Sequence, residues 1–146
     1  MERTLQNESL LLTRFYAVAP EKVWRAWTEP DALRIWFGQV DAADWKAQLD
    51  VRVGGRYHLV MREPSGLYYS VRGVYREVAP HRRLVFTWEQ RDSPFNGESL
   101  VTVDLQPLSN GTELRFWLAP VFDPRAPDAW RGDFKRLGRH LQQTDN

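Results

Sequence analysis

The chain has 146 residues, of which 42% are hydrophobic and 27% are charged, as in an ordinary globular protein. Its formal net charge of +1, with the basic residues scattered along the chain, provides no strongly basic surface for nucleic acid or anionic membranes. The chain contains no cysteine, so it has no disulfide, thiolate nucleophile or cysteine-based metal site.

The N-terminal region gives no sign of targeting to another compartment. The apolar run Leu10–Leu12 is too short for a signal peptide, and no stretch has the apolar length needed to span a bilayer. We therefore expect a single cytoplasmic domain over residues 1–146.

The first elements in chain order are predicted to be one strand and two short helices. Residues 8–17 are rich in apolar and aromatic side chains, which predicts the strand. Pro20 begins a first helix, and Pro30 begins a second helix that ends near Trp36, because proline fits the first helical position. We expect Phe37–Trp45 to form a further strand or extended segment.

Alternating polar and apolar residues then predict antiparallel strands with one buried face. Tyr57, Leu59 and Met61, for example, alternate with more polar neighbours. The predicted strands lie around residues 56–62, 67–78, 84–89, 99–105 and 113–118.

A long final helix is predicted over Pro127–Gln143. Its apolar residues recur at steps of three and four, which places them on one stripe of the helix. They are Trp130, Phe134, Leu137 and Leu141, and the opposite face carries Arg131, Lys135, Arg139 and Gln142. Such a helix needs a broad apolar partner, so we expect an α+β fold in which a curved antiparallel sheet wraps around it.

Several groups of residues follow one another in an order typical of one protein family. They are Arg14-Phe15-Tyr16-Ala17, Pro20-Glu21-x-Val23-Trp24-x-Ala26-x-Thr28-x-Pro30, Asp50-x-Arg52-Val53-Gly54-Gly55, Gly73-x-Tyr75-x-Glu77-Val78-x-Pro80-x-x-Arg83-Leu84-Val85-Phe86-Thr87-Trp88 and Gly111-Thr112-x-Leu114. On these residues the chain resembles the family named after the activator of the heat-shock-protein-90 ATPase, in the START-like (SRPBCC, helix-grip) superfamily. The resemblance covers about residues 10–140. It implies a helix-grip fold with a deep apolar cavity between sheet and C-terminal helix, and a small hydrophobic or aromatic ligand in that cavity.

Two segments differ from the pattern common in that family, and both are expected at the mouth of the cavity. Members often carry a His-x-Gly-Phe-like segment after the last strand, where this chain reads Leu118-Ala119-Pro120-Val121-Phe122. The final helix often contains Gly-Trp, where this chain reads Gly132-Asp133-Phe134. The family therefore does not supply the ligand preference of this chain.

Seven aromatic residues are the candidates for the ligand-binding wall. Pockets combine apolar walls with a few polar groups, and Tyr O–H and Trp N–H can supply such groups. The same side chains can instead fill a close-packed core, and both interpretations stay open at this point. The candidates are Trp36, Tyr57, Tyr69, Trp88, Phe116, Trp130 and Phe134.

The sequence gives little support for catalytic or metal chemistry. His58, His81 and His140 lack the spacing of metal ligands, so we expect neither a metal nor a cofactor. No nucleophile motif is present. Asp133 precedes the inward Phe134 and is the one carboxylate expected near the cavity mouth, where we interpret it as a surface residue.

Three classes of function are compatible with these observations. The first, which we favour, is binding of a small hydrophobic molecule, without catalysis and without nucleic-acid or membrane partners. The second is an enzyme resembling the cyclases and aromatases of the superfamily, and a buried carboxylate or His beside an open cavity would favour it. The third is a protein-interaction module like the co-chaperones, which an extensive exposed apolar patch would favour. A homodimer is also left open.

Overall fold

In a computed structural model, the chain is described over residues 8–38, 43–62, 65–91, 94–95 and 97–143. Its elements occur in the predicted order, with one strand, two short helices, six strands and a long helix. They are β1 (Leu10–Tyr16), α1 (Pro20–Thr28), α2 (Pro30–Trp36), β2 (Ala43–Leu49), β3 (Arg56–Arg62), β4 (Tyr68–Ala79), β5 (Arg83–Arg91), β6 (Glu98–Leu108), β7 (Gly111–Ala119) and α3 (Ala126–Gln143). The predicted α+β class and helix-grip arrangement are thereby confirmed.

Within the described residues, seven strands form one antiparallel sheet in the order β1-β7-β6-β5-β4-β3-β2. Strands β2 to β6 each pair with the next strand along the chain, and β1 pairs with β7, where Leu12 lies opposite Phe116. The pairing of β4 with β5 shifts register between Tyr75 and Glu77, and such irregularities bend and twist a strand. The curved sheet wraps around α3.

One predicted strand begins later than expected. The segment Phe37–Trp45 was predicted as extended, but the strand is β2 at Ala43–Leu49, and residues 39–42 lie outside the described residues. Phe37 is instead the C-cap of α2, and its backbone N–H donates to the carbonyl of Leu33 at 3.0 Å. Gly38 follows with φ of +88°, a left-handed conformation that glycine adopts readily and that turns the chain at the end of α2.

An aromatic core fills the space between the three helices and the concave face of the sheet. The rings of Trp27 in α1 and Trp36 in α2 lie 4.8 Å apart, and those of Phe116 in β7 and Phe134 in α3 lie 5.2 Å apart. Burying one large apolar side chain of this kind is worth roughly 1.5–3 kcal/mol of transfer free energy. This core therefore fixes α3 against the sheet.

The long helix α3 presents its predicted apolar stripe to this core. Trp130, Phe134, Leu137 and Leu141 are all buried, whereas the predicted polar face is exposed. The helix begins at Ala126, one residue before the predicted start. The hydroxyl of Tyr16 donates to the carbonyl of Phe134 at 3.1 Å, which attaches α3 to β1.

Candidate ligand-binding cavity

A cavity of about 410 Å3 lies between the concave face of the sheet and the N-terminal half of α3. Its outer end is bordered by Phe95, Phe122 and the exposed side chains of Arg125 and Asp128, which mark the mouth. Small-molecule pockets usually measure roughly 300–1,000 Å3, so this cavity has the size for a compact ligand.

Three aromatic rings in mutual contact form the inner wall of the cavity. The rings of Phe37 and Trp88 lie 5.6 Å apart, and the ring of Trp130 lies 5.5 Å from Phe37 and 5.2 Å from Trp88. They come from the end of α2, from β5 and from α3, so three elements must pack together to build the wall. Met61 and Leu118 add aliphatic surface.

Three of the seven candidate aromatic residues border this cavity, namely Tyr69, Trp88 and Trp130. Phe116 and Phe134 do not border it and pack in the core, each no more than 1% exposed.

Trp36 and Tyr57 border a separate apolar void of about 30 Å3 on the far side of the aromatic wall. The polar groups of Trp36 and Tyr57 form hydrogen bonds with backbone carbonyl groups. The indole Nε1 of Trp36 donates to the carbonyl of Ala26 at 2.9 Å, and the hydroxyl of Tyr57 donates to the carbonyl of Thr87 at 2.5 Å. Neither side chain borders the cavity itself.

Asp133 is buried, and its interpretation as a surface residue was wrong. Its side chain is only 6% exposed and lines the cavity. Its Oδ1 accepts hydrogen bonds from the backbone N–H of Gly38, at 3.3 Å, and from Nη2 of Arg136. The turn after α2 covers this flank of α3. The sequence contained a signal, because Asp133 follows Trp130 by three residues and precedes Leu137 by four, as a residue on the buried stripe would.

Arg136, which the sequence analysis did not single out, ties the end of α2 to α3. Its Nε donates to the carbonyl of Trp36 at 3.1 Å, and its Nη2 donates to the carbonyl of Gly38 at 2.7 Å. The same guanidinium pairs with Asp133, one helical turn earlier. Arg136 therefore positions the carboxyl group at the cavity wall.

The carboxyl group of Asp133 has an unusual protonation equilibrium. Burial raises the pKa of Asp133 to about 7, although the positive charge of Arg136 and the N–H of Gly38 act in the opposite direction. Both hydrogen bonds from described residues end on Oδ1, so Oδ2 has no donor among the described residues, and the side chain lines the cavity. Near neutral pH this group can therefore both accept and release a proton.

Tyr69, Gln90 and Asp123 form a second polar border of the cavity, opposite α3. Nε2 of Gln90 donates to the hydroxyl of Tyr69 at 3.2 Å, and the Gln90 side chain also bonds to Asp123. Burial alone would raise the pKa of Asp123, but hydrogen bonds from Arg125, including one of 2.8 Å from Nη2, outweigh this and lower the pKa. An ionised Asp123 requires Gln90 to face it with N–H groups, so Tyr69 is the acceptor and keeps its own proton available to donate.

The fold and its cavity define this protein as a START-like, helix-grip domain. Comparison with protein families then shows that the chain belongs to the family described as "Activator of Hsp90 ATPase homolog 1-like protein", whose sequence model matches residues 17–144. No match was found among curated proteins.

Solved structures of bacterial proteins share this fold along nearly the whole chain. Protein CV1439 from Chromobacterium violaceum is 27% identical with a TM-score of 0.80, covering 92% of this chain and 96% of its own. Protein NE0264 from Nitrosomonas europaea is 26% identical with a TM-score of 0.77, covering 92% of this chain and 94% of its own. Protein MLL2253 from Mesorhizobium loti is 27% identical with a TM-score of 0.76, covering 95% of this chain and 100% of its own.

In the part of the chain that the structure describes, no three His, Asp or Glu side chains come together as metal ligands would. None of the helices in these ranges is both long and apolar enough to cross a membrane.

Proposed function

We propose that this protein binds a small hydrophobic or aromatic molecule in the cavity between the sheet and α3. The observation that carries the proposal is the cavity of about 410 Å3 whose inner wall consists of the rings of Phe37, Trp88 and Trp130. An apolar ligand placed there leaves water and gains ring contacts in offset or edge-to-face geometry, both of which favour binding.

The polar groups around the cavity support the same proposal. Ligand pockets are mostly apolar and contain a few polar groups that set the orientation of the ligand. Here Tyr69 offers a hydroxyl from β4, and Asp133 offers a carboxyl oxygen from α3. A ligand with one polar substituent on an apolar ring system matches this distribution.

The first test is mass spectrometry of the purified protein, under native conditions and after denaturing extraction. We expect a co-purifying small molecule with the wild-type protein. Leu118→Trp should displace it, because Leu118 is 3% exposed and lines the cavity. Leu100→Trp is the matched control, because it makes the same change at a residue that is 45% exposed on the outer face.

Two outcomes would contradict the proposal. One is a ligand retained at wild-type stoichiometry by a folded Leu118→Trp variant. The other is a wild-type protein that carries no small molecule and binds no added bicyclic aromatic compound. That second result would favour the interaction module, for which the exposed neighbours Leu11 and Trp117 on the outer face are the starting point.

Asp133 favours a second candidate function, an enzyme of the cyclase or aromatase type. It is the buried carboxylate beside an open cavity that such an activity needs, and its pKa of about 7 suits proton transfer near neutral pH. Asp133→Asn separates the two functions. An enzyme should co-purify with different molecules in the wild-type and variant forms, namely product and substrate, whereas a binding protein should carry the same molecule in both.

A further inference from the structure

We propose that the ligand presents a hydrogen-bond donor, such as a phenolic hydroxyl or an amine, to Oδ2 of Asp133. The inference rests on the proposed function, since it concerns the same cavity. It narrows the ligand from any hydrophobic molecule to an aromatic alcohol or amine, and it disfavours aromatic acids.

The hydrogen bonds of Asp133 identify the atom that a ligand would meet. The N–H of Gly38 and the guanidinium of Arg136 both donate to Oδ1, and this divides the carboxyl group into an occupied and an available oxygen. Oδ2 belongs to a side chain that is 6% exposed and lines the cavity. A ligand that fills the cavity displaces water from Oδ2, and an acceptor that loses water without gaining a donor is unfavourable, so a ligand that supplies a donor gains more than its ring contacts alone.

The charges around the cavity select against an anionic ligand. The described lining residues include three carboxylates, on Asp123, Asp128 and Asp133, and two guanidinium groups, on Arg125 and Arg136. Arg125 is bonded to Asp123, Arg136 is bonded to Asp133, and Asp128 is bonded to Arg131. A ligand carboxylate placed beside ionised Asp133 would meet like charge, and each of these arginines already has a carboxylate partner, whereas a neutral or cationic donor would not meet like charge.

Tyr69 adds a complementary group from the sheet. Its hydroxyl accepts from Gln90, and in the part of the chain described here its own proton has no other acceptor. A phenolic or alcohol oxygen can accept a proton from Tyr69 or donate its own to Asp133, so the hydroxyl group of a ligand is chemically suited to either polar border of the cavity.

The test compares 2-naphthol, which can donate a hydrogen bond, with 2-naphthaldehyde, which can only accept. Binding is measured by isothermal titration at about pH 8, where Asp133 is mostly ionised, with 2-naphthoate as the anionic member of the series. We expect the wild-type protein to bind 2-naphthol about tenfold more tightly than the aldehyde, and the acid least tightly.

Asp133→Asn should reverse the polarity of the cavity-facing atom. The amide oxygen keeps the hydrogen bonds from Gly38 and Arg136, so the amide NH2 takes the position of Oδ2. The preference for 2-naphthol should then fall by about tenfold or more. The matched control is Asp104→Asn on the outer face, where the side chain is 42% exposed and paired with Arg83, and we expect it to keep the wild-type ratio.

The outcomes distinguish the two proposals. Equal wild-type affinity for the alcohol and the aldehyde would overturn the inference and leave the proposed function standing. A folded Asp133→Asn variant with the wild-type ratio would overturn it as well. If no probe binds the wild-type protein, the proposed function fails and the inference fails with it. The comparison of 2-naphthol with 2-naphthaldehyde uses the wild-type protein, so it tests the inference even if Asp133→Asn does not fold.

Discussion

Asp133→Asn should remove a pH-dependent loss of stability that the wild-type protein carries between about pH 4 and pH 7. The variant keeps the shape of the side chain and an oxygen for the N–H of Gly38 and the guanidinium of Arg136. It removes the titration of a buried carboxyl group and places an amide NH2 where Oδ2 was. The comparison therefore isolates the energetic consequence of placing that group at the cavity wall.

The sign and the size of this change in stability follow from the pKa values of Asp133 in the folded and unfolded chain. Burial raises the folded-state pKa from 3.8 to about 7. Between these values the folded chain holds a proton that the unfolded chain has lost, so the free energy of unfolding falls as the pH rises. The stabilising contribution is complete below the unfolded pKa and is lost once the pH passes the folded pKa. The shift corresponds to a change of up to roughly 4 kcal/mol in the stability of the folded state.

The assay is urea unfolding of ligand-free protein at several pH values, because a bound ligand would add its own stabilisation. We expect the stability of Asp133→Asn relative to wild type to rise by several kcal/mol between about pH 4 and pH 8. Asp104→Asn measures what the loss of a surface carboxylate does to the same curve. Parallel curves for wild type and Asp133→Asn would show that burial does not perturb this carboxyl group, and the reasoning would be wrong.

Three further substitutions test the packing and the polar contacts, and each is measured by urea unfolding. Phe134→Ala should lower the free energy of unfolding by roughly 3–5 kcal/mol, because Phe134 is 1% exposed and packs in the core, and no loss would contradict its buried position. Tyr69→Phe should cost about 1 kcal/mol through its lost hydrogen bond while leaving naphthalene binding unchanged, and weaker naphthalene binding would contradict this. Arg136→Lys should cost about 1–3 kcal/mol, because one ammonium group does not reproduce the fork that bonds the carbonyls of Trp36 and Gly38, and an unchanged stability would contradict that role.

Periodicity made most of the fold predictable from the sequence. In β3 and β7 buried residues alternate with more exposed ones at every position, and in α3 a buried residue recurs at every turn from Trp130 onward. Because each pattern repeats several times, one exceptional residue does not obscure it. Periodicity does not predict which residues are exposed when both faces of a strand are covered. Val85 and Thr87 lie on the outer phase of β5 but are only 6% and 4% exposed. The N–H of Val74 donates to the hydroxyl of Thr87 at 2.8 Å, which helps to explain why this polar side chain is buried.

The cavity was harder to predict, because alternation shows which side chains point inward but not how far the sheet lies from the helix. Tyr57 and Trp88 both point inward, yet only Trp88 borders the cavity. The position of Asp133 depends on the turn after α2, which covers α3 from a distant part of the chain. The sequence of α3 alone does not show that another segment packs over Asp133.

Trp130 separates the cavity from the small void, and this leads to a prediction about the size of ligand that the protein accepts. Its ring borders both the space of about 410 Å3 and the void of about 30 Å3. Trp130→Phe should connect the two spaces at a cost on the order of 1 kcal/mol, since about 40 Å3 of new cavity costs about that much. We expect the variant to bind pyrene better, relative to naphthalene, than the wild-type protein does.

Trp117→Phe makes the same change at a residue that is 53% exposed on the outer face, and it should leave the ratio unchanged. An unchanged ratio in Trp130→Phe would mean that the aromatic wall does not limit ligand size. The limit would then lie at the mouth, where Phe122 and Arg125 border the opening.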